Sequence, residues 1–159
     1  MLENCRNARE RWGGVSDLID RWLKERQELL VLYCELSGES EGVEPEVLRH
    51  KLVRLCEVLV DYVSAGHFEI YEQLIEEAKE FNDGGIELAA KVYPRLEETT
   101  EVALNFNDKL DGCEATDEGV KSMFDDLSKL GEALESRFEV EDFLIEHLHN
   151  VHAGKEAPV

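Results

Sequence analysis

Residues 59–72 read LVDYVSAGHFEIYE, the stretch that says most about how this chain is built. At about 100° per residue, Leu59, Val63, Ile70 and Leu74 fall in one narrow sector, the stripe of a helix packed on an apolar core. On the opposite side Asp61, Ala65, Phe68 and Glu72 line up at spacings of four, three and four, which aims an aromatic ring outward between two carboxylates. An exposed phenylalanine in that setting suggests a docking site. Gly66 leaves a second placement open, because a kink there would turn Phe68 back toward the core.

Outward from this stretch the apolar spacing stays helical, and no alternating run is long enough to require a strand, so the fold class is all-α. A short N-terminal helix is expected to end near Gly13 and Gly14. Ser16 then caps a long helix carrying Leu18, Trp22, Leu29, Tyr33 and Leu36, which closes over 38–42. Pro45 suits the first turn of a second helix, with Leu48, Leu52, Leu55, Leu59 and Val63 on one side, continuing to Phe81. Gly84 and Gly85 end it. A third helix is expected over about 86–110, bent at Pro94, and a fourth over about 117–152, with about 153–159 a frayed tail. The economical arrangement is an antiparallel up-and-down four-helix bundle with a short extra N-terminal helix, and 159 residues suffice for a single domain over 1–159.

Asp and Glu outnumber Lys and Arg 37 to 17, for a net charge of -20. Residues 1–33 carry six charges of each sign, so the acidic excess lies wholly beyond them. Such a surface repels nucleic-acid phosphates and attracts basic proteins. The four cysteines form no CxxC pair, and Cys34 and Cys56 sit in apolar helical runs, as buried thiols of a reducing compartment would. With no apolar run near the length of a membrane span and no signal-peptide pattern at the N-terminus, a cytoplasmic protein without a membrane partner is expected.

Catalytic patterns are scarce. The glycine pairs fit turns and lack the lysine and spacing of a phosphate cradle, and no serine elbow is present, so neither enzyme activity nor a small-molecule substrate is expected. The chemical rival is a metal-carrying bundle of the di-iron or hemerythrin-like kind, since di-iron sites use Glu-x-x-His on facing helices. Glu146 and His149 supply one such motif. A second is missing, because Ser64, Val47 and His149 stand three residues before His67, His50 and His152. Tyr71 stands four residues after His67, where a hemerythrin-like site would place a carboxylate. No metal ligand and no cofactor is assigned, and His147, His149 and His152 read as a solvated helix end.

Two polar residues are structural candidates. Glu141 shares a helix sector with Leu127, Leu134, Phe138 and Ile145, so its carboxylate needs a partner: an arginine, a tyrosine or His67. In the first long helix Trp22 belongs to the core, while Asp20 on the outward side is the better binding candidate.

The run SAGHFEIYE, 64–72, resembles very closely the signature of the Rsd/AlgQ family of anti-sigma factors. The likeness extends to RWGGVSDLIDRWLKERQELL at 11–30, KVYPRLEETT at 91–100 and LGEALESRFEVEDFLIEHL at 130–148, and is strongest to the pseudomonad AlgQ type. What the resemblance implies is a helical bundle that occupies the C-terminal helix-turn-helix region of the primary sigma factor of RNA polymerase. That region could then reach neither promoter nor polymerase flap, which favours alternative sigma factors. The intact motif carries Asp61, Ser64, Ala65, His67 and Phe68 as positions for transfer, with Phe68 entering an apolar pocket and Asp61 and Glu72 pairing with basic side chains. An acidic adaptor for other basic or signalling proteins is the remaining alternative.

Overall fold

The computed structural model describes residues 8–38 and 42–153. Cys5, residues 39–41 and all of the expected frayed tail after Ala153 lie outside them. The described chain is all-helical: α1 (Ala8–Ser37), α2 (Pro45–Ala65), a wide turn (Gly66–Ile70), α3 (Tyr71–Phe81), α4 (Gly85–Asp111), α5 (Asp117–Leu148) and a final 3-10 turn (Asn150–His152). Because α2, the wide turn and α3 follow one another without a break, the described residues form four rods.

The apolar stripe of residues 59–74 forms part of the core. Leu59, Val63, Ile70 and Leu74 are each no more than 4% exposed, packed with Trp22, Leu29, Leu96, Met123 and Leu130. Burying each such side chain contributes roughly 1.5–3 kcal/mol, which outweighs the modest differences in helix propensity along these segments. On α5, Val140 and Leu144 are buried as well as Leu134 and Ile145, so two sides of that helix pack inward. Tyr33 donates its hydroxyl to Leu127 O at 2.9 Å across the α1–α5 contact, and only glycine fits opposite it: a Cβ on Gly131 would lie 2.1 Å from that hydroxyl.

Three expectations are corrected. The expected helix end near Gly13 and Gly14 is not found among the described residues, since α1 runs unbroken through Gly13, Gly14 and Ser16. Val15 and Ile19 are buried on the same helix, and Trp12 stacks on His149 at 4.4 Å while donating Nε1–H to His149 O at 2.8 Å. Those contacts offset the roughly 1 kcal/mol that each mid-helix glycine costs. The histidines at the chain end are not all solvated: His147 is exposed, but His149 and His152 are buried. His149 Nδ1 lies 2.8 Å from both carboxylate oxygens of Glu77, and His152 stacks on Phe81 at 3.7 Å with Nε2 2.8 Å from Asp83. Cys34 is exposed rather than buried, because it lies on the face of α1 with Val31, away from the core. Cys56 is buried, and burial with Asp111 pushes its thiol up to about 12, leaving it protonated and inert.

Candidate protein-docking site

The segment Gly66–Ile70 is a single π-helical turn, in which Tyr71 N–H donates to Gly66 O five residues back. Such turns insert one extra residue into a helix and occur frequently at functional sites. Two contacts account for its position. Trp22 of α1 donates its indole N–H to Tyr62 O at 3.0 Å, placing a side-chain donor in the carbonyl ladder just before the turn. The second contact is the close packing at residue 66, where a Cβ would lie 3.0 Å from Trp22 Cζ2 and 3.2 Å from the Tyr71 hydroxyl. Its φ of -57° suits any residue, so the cost of Gly66→Ala is crowding alone. Because both rings are buried, that crowding is expected to outweigh alanine's better helix propensity and lower unfolding free energy by roughly 1–2 kcal/mol. An unchanged or raised urea midpoint would contradict this.

Only Gly66 and Ile70 of the turn face inward. Phe68 stands outside, 70% exposed, and Gly66 does not return it to the core. His67, one of the three kinds of partner considered for Glu141, is exposed instead, its ring edge-on to Phe68 at 4.7 Å. Asp61 and Glu72 are exposed, and Ser64 and Ala65 half-buried. Glu72, His67 and Phe68 share one hollow with Tyr71, Ile75 and Tyr93. Asp61 borders a different one, with Cys56, Val60 and Leu110, and Asp20 is exposed on α1 and borders neither.

Negative charge is concentrated beside the turn. Glu25 of α1, which its sequence position alone did not mark, has one carboxylate oxygen buried with no hydrogen-bond partner among the described residues. Burial, then the charges of Asp61, Glu69 and Glu28, raise its carboxyl above the usual range. A basic side chain arriving there would relieve that repulsion.

Beneath the turn lies a buried polar network. Glu141 accepts from Tyr62 Oη at 2.5 Å, from Tyr71 Oη, from Arg26 Nη2 at 3.2 Å and from Arg137 Nε at 3.2 Å. Burial pushes this carboxyl up, and Arg137, the two phenols and Arg26 pull against it. Burial and the Glu141 charge also raise both phenols, which therefore stay protonated and donate. Arg137 continues the network to α4, donating to Thr99 at 3.1 Å and to Thr100 at 2.7 Å, and reaches the Tyr71 hydroxyl at 2.9 Å. All five α-helices meet in this network, and Tyr71, the first residue after the wide turn, is held in it.

Among the described residues no group of three or more His, Cys, Asp or Glu side chains is placed to hold a metal. Glu146 accepts from Asn150 at 3.0 Å, while His149 turns to Glu77, so the one Glu-x-x-His pair does not converge. No helix of the described residues is long and apolar enough to cross a membrane.

The family model described as "Regulator of RNA polymerase sigma(70) subunit, Rsd/AlgQ" matches residues 1–149. The chain belongs to the Rsd/AlgQ family. Its relatives include the Regulator of sigma D of Yersinia enterocolitica, 37% identical over 148 residues, covering 92% of this chain and 89% of that protein. The Regulator of sigma D of Salmonella paratyphi B is 40% identical over 147 residues, covering 91% of this chain and 90% of that protein. In this Rsd/AlgQ chain the SAGHF run, 64–68, supplies both the glycine of the wide turn and the ring it exposes. Arg26, Tyr62, Tyr71 and Arg137 went unrecognised in the sequence. One signal was available, since Arg137 precedes Glu141 by four residues on a helix.

Proposed function

We propose that this chain is an anti-sigma factor that binds and sequesters the C-terminal helix-turn-helix region of the primary sigma factor of RNA polymerase, favouring alternative sigma factors. The observation that carries this reading is Phe68, 70% exposed on a π-helical turn flanked by carboxylates, in a chain of the family described as regulating the sigma(70) subunit. Phe68 enters an apolar pocket of the partner. Ser64 and Ala65 border the contact, Asp61 and Glu72 pair with basic side chains, and Asp20 adds a peripheral charge. Those rim charges act mainly on association rate and salt dependence, and Phe68 on affinity.

Residues 1–159 work as a single sigma-binding domain, an antiparallel up-and-down bundle. Short links between α3 and α4 and between α4 and α5, with α1 packed on α2 and α4 on α5, support that arrangement. The protein acts in the cytoplasm by occupying its partner, without catalysis, and its charge of -20 sets it against direct contact with nucleic acid or anionic membranes.

The test is a calorimetric titration of the primary sigma factor, whole and truncated before its C-terminal region, at low and physiological salt. A one-to-one complex with the whole factor that weakens with salt, and none with the truncated one, is expected. Equal binding to both forms, or binding to neither, would overturn the reading.

A further inference from the structure

The end of the described chain carries two buried histidines outside the proposed sigma contact. They pack on the far end of α3, roughly 15 Å along that helix from the wide turn and Phe68. His149 and His152 are 1% and 2% exposed, and each lies flat on an aromatic ring, His149 on Trp12 and His152 on Phe81. Each also meets a carboxylate, Glu77 of α3 for His149 and Asp83 of the α3–α4 link for His152.

The two rings differ in how many protons their contacts require. His149 uses one nitrogen: Nδ1 lies 2.8 Å from both oxygens of Glu77, while Nε2 is buried with no hydrogen-bond partner among the described residues. One proton, on Nδ1, satisfies that bond, and a second on Nε2 would be left buried and unbonded. His152 uses both nitrogens. Nδ1 lies 3.0 Å from Leu148 O, and Nε2 lies 2.8 Å from Asp83 Oδ2. A carbonyl and a carboxylate only accept, so both nitrogens of His152 donate and the ring is an imidazolium. Its charge sits at the C-terminal end of α5, where the last carbonyls of a helix favour a cation.

The surroundings suit one buried cation. On α3, burial raises the Glu77 carboxyl, His149 and the charge of His152 pull it down, and Glu80 adds to the rise. Asp83 is half exposed on the link. Trp12 of α1 and Gly85 of α4, which lies against Leu148, bring no side-chain charge.

We propose that His152 is a proton-operated clamp on the end of the chain. With two protons it ties Leu148 O, at the end of α5, to Asp83 in the link between α3 and α4, and covers Phe81. Loss of the Nε2 proton turns a lone pair toward Asp83 Oδ2 at 2.8 Å, and the attraction becomes a repulsion. The closed turn holds this proton more tightly than the open one, so rising pH opens the clamp and falling pH closes it. Histidine is the side chain whose charge ordinarily changes between about pH 5 and 8. His149 stays seated on Glu77, because its one bond needs one proton. Opening uncovers Phe81, which is 6% exposed in the closed turn.

The test uses the full chain, isotope-labelled at the histidine nitrogens, from about pH 6 to about pH 9, comparing wild type with Asp83→Asn. Nuclear magnetic resonance of the ring nitrogens reads the protons, and hydrogen exchange reads the turn. At the acid end His152 is expected with protons on both nitrogens and His149 with one, on Nδ1. Toward the alkaline end, protection of the His152 and Ala153 amides, which donate to His149 O and Asn150 O, should fall at least about tenfold after correction for the intrinsic exchange rate. An asparagine at this position accepts from a protonated Nε2 and donates to a bare one, so Asp83→Asn should hold the turn throughout and flatten the response. Because Asp83 is half exposed, the substitution leaves the fold intact, which thermal unfolding checks. A singly protonated His152 at the acid end, protection that does not change with pH, or the full wild-type response in Asp83→Asn overturns the proposal. So does a His149 that takes up its second proton ahead of His152.

Discussion

Replacing Arg137 with methionine is expected to lower the unfolding free energy by about 3–5 kcal/mol, the range seen when one partner of a buried ion pair is removed. Arg137 is 1% exposed, and its guanidinium bonds Glu141 on its own helix, Thr99, Thr100 and Leu96 O on α4, and the Tyr71 hydroxyl that begins α3. Methionine fills much of the volume but offers no donor. Arg137 is the strongest of the interactions opposing the burial that raises the Glu141 carboxyl, so its loss leaves that carboxylate to Arg26 and two phenols. Urea denaturation followed by far-UV circular dichroism measures the change. The double variant Arg137→Met/Glu141→Leu should recover part of the loss, because the cost is an uncompensated charge more than a missing attraction. A single-variant loss below about 1 kcal/mol would show that the network relaxes around the deletion and does not hold the helices in register.

Phe68→Ala is expected to weaken the complex with the primary sigma factor by roughly 1–4 kcal/mol, about five- to several-hundredfold in Kd, while leaving the fold untouched. The asymmetry follows from where the ring sits. In the free protein it is 70% exposed and contributes little to the core, so its removal should move stability by no more than about 0.5 kcal/mol. In a complex the same ring would be buried whole, and its apolar area would be the largest single contribution available on this face. The change should lie in the dissociation rate, read by surface plasmon resonance. Asp61→Asn, by contrast, should slow association most at low salt. Loss of both stability and binding in Phe68→Ala would mean that the ring supports the fold.

The apolar face of residues 59–72 was legible because it depends on local spacing alone: 3.6-residue periodicity put Leu59 and Ile70 inside without knowledge of any other helix, whereas Gly66 left the placement of Phe68 open. What the periodicity could not carry was the wide turn itself. That turn depends on the Trp22 indole reaching Tyr62 O from 40 residues away and on Tyr71 lying against Gly66. Gly13 and Gly14 misled for the same reason, since the contacts that keep α1 intact include His149 at the far end of the chain. Glu141 was legible as a carboxylate in need of partners, but of its four donors only Arg137 is close in sequence.

On the proposed function, the face exposed by the wide turn binds the primary sigma factor through Phe68. The most direct test of this is a pair of calorimetric titrations of full-length sigma factor, one with wild type and one with Phe68→Ala of matched unfolding temperature, at physiological salt. One-to-one binding by the wild type and at least about fivefold weaker binding by the variant are expected. Equal affinities for two equally folded proteins would contradict it.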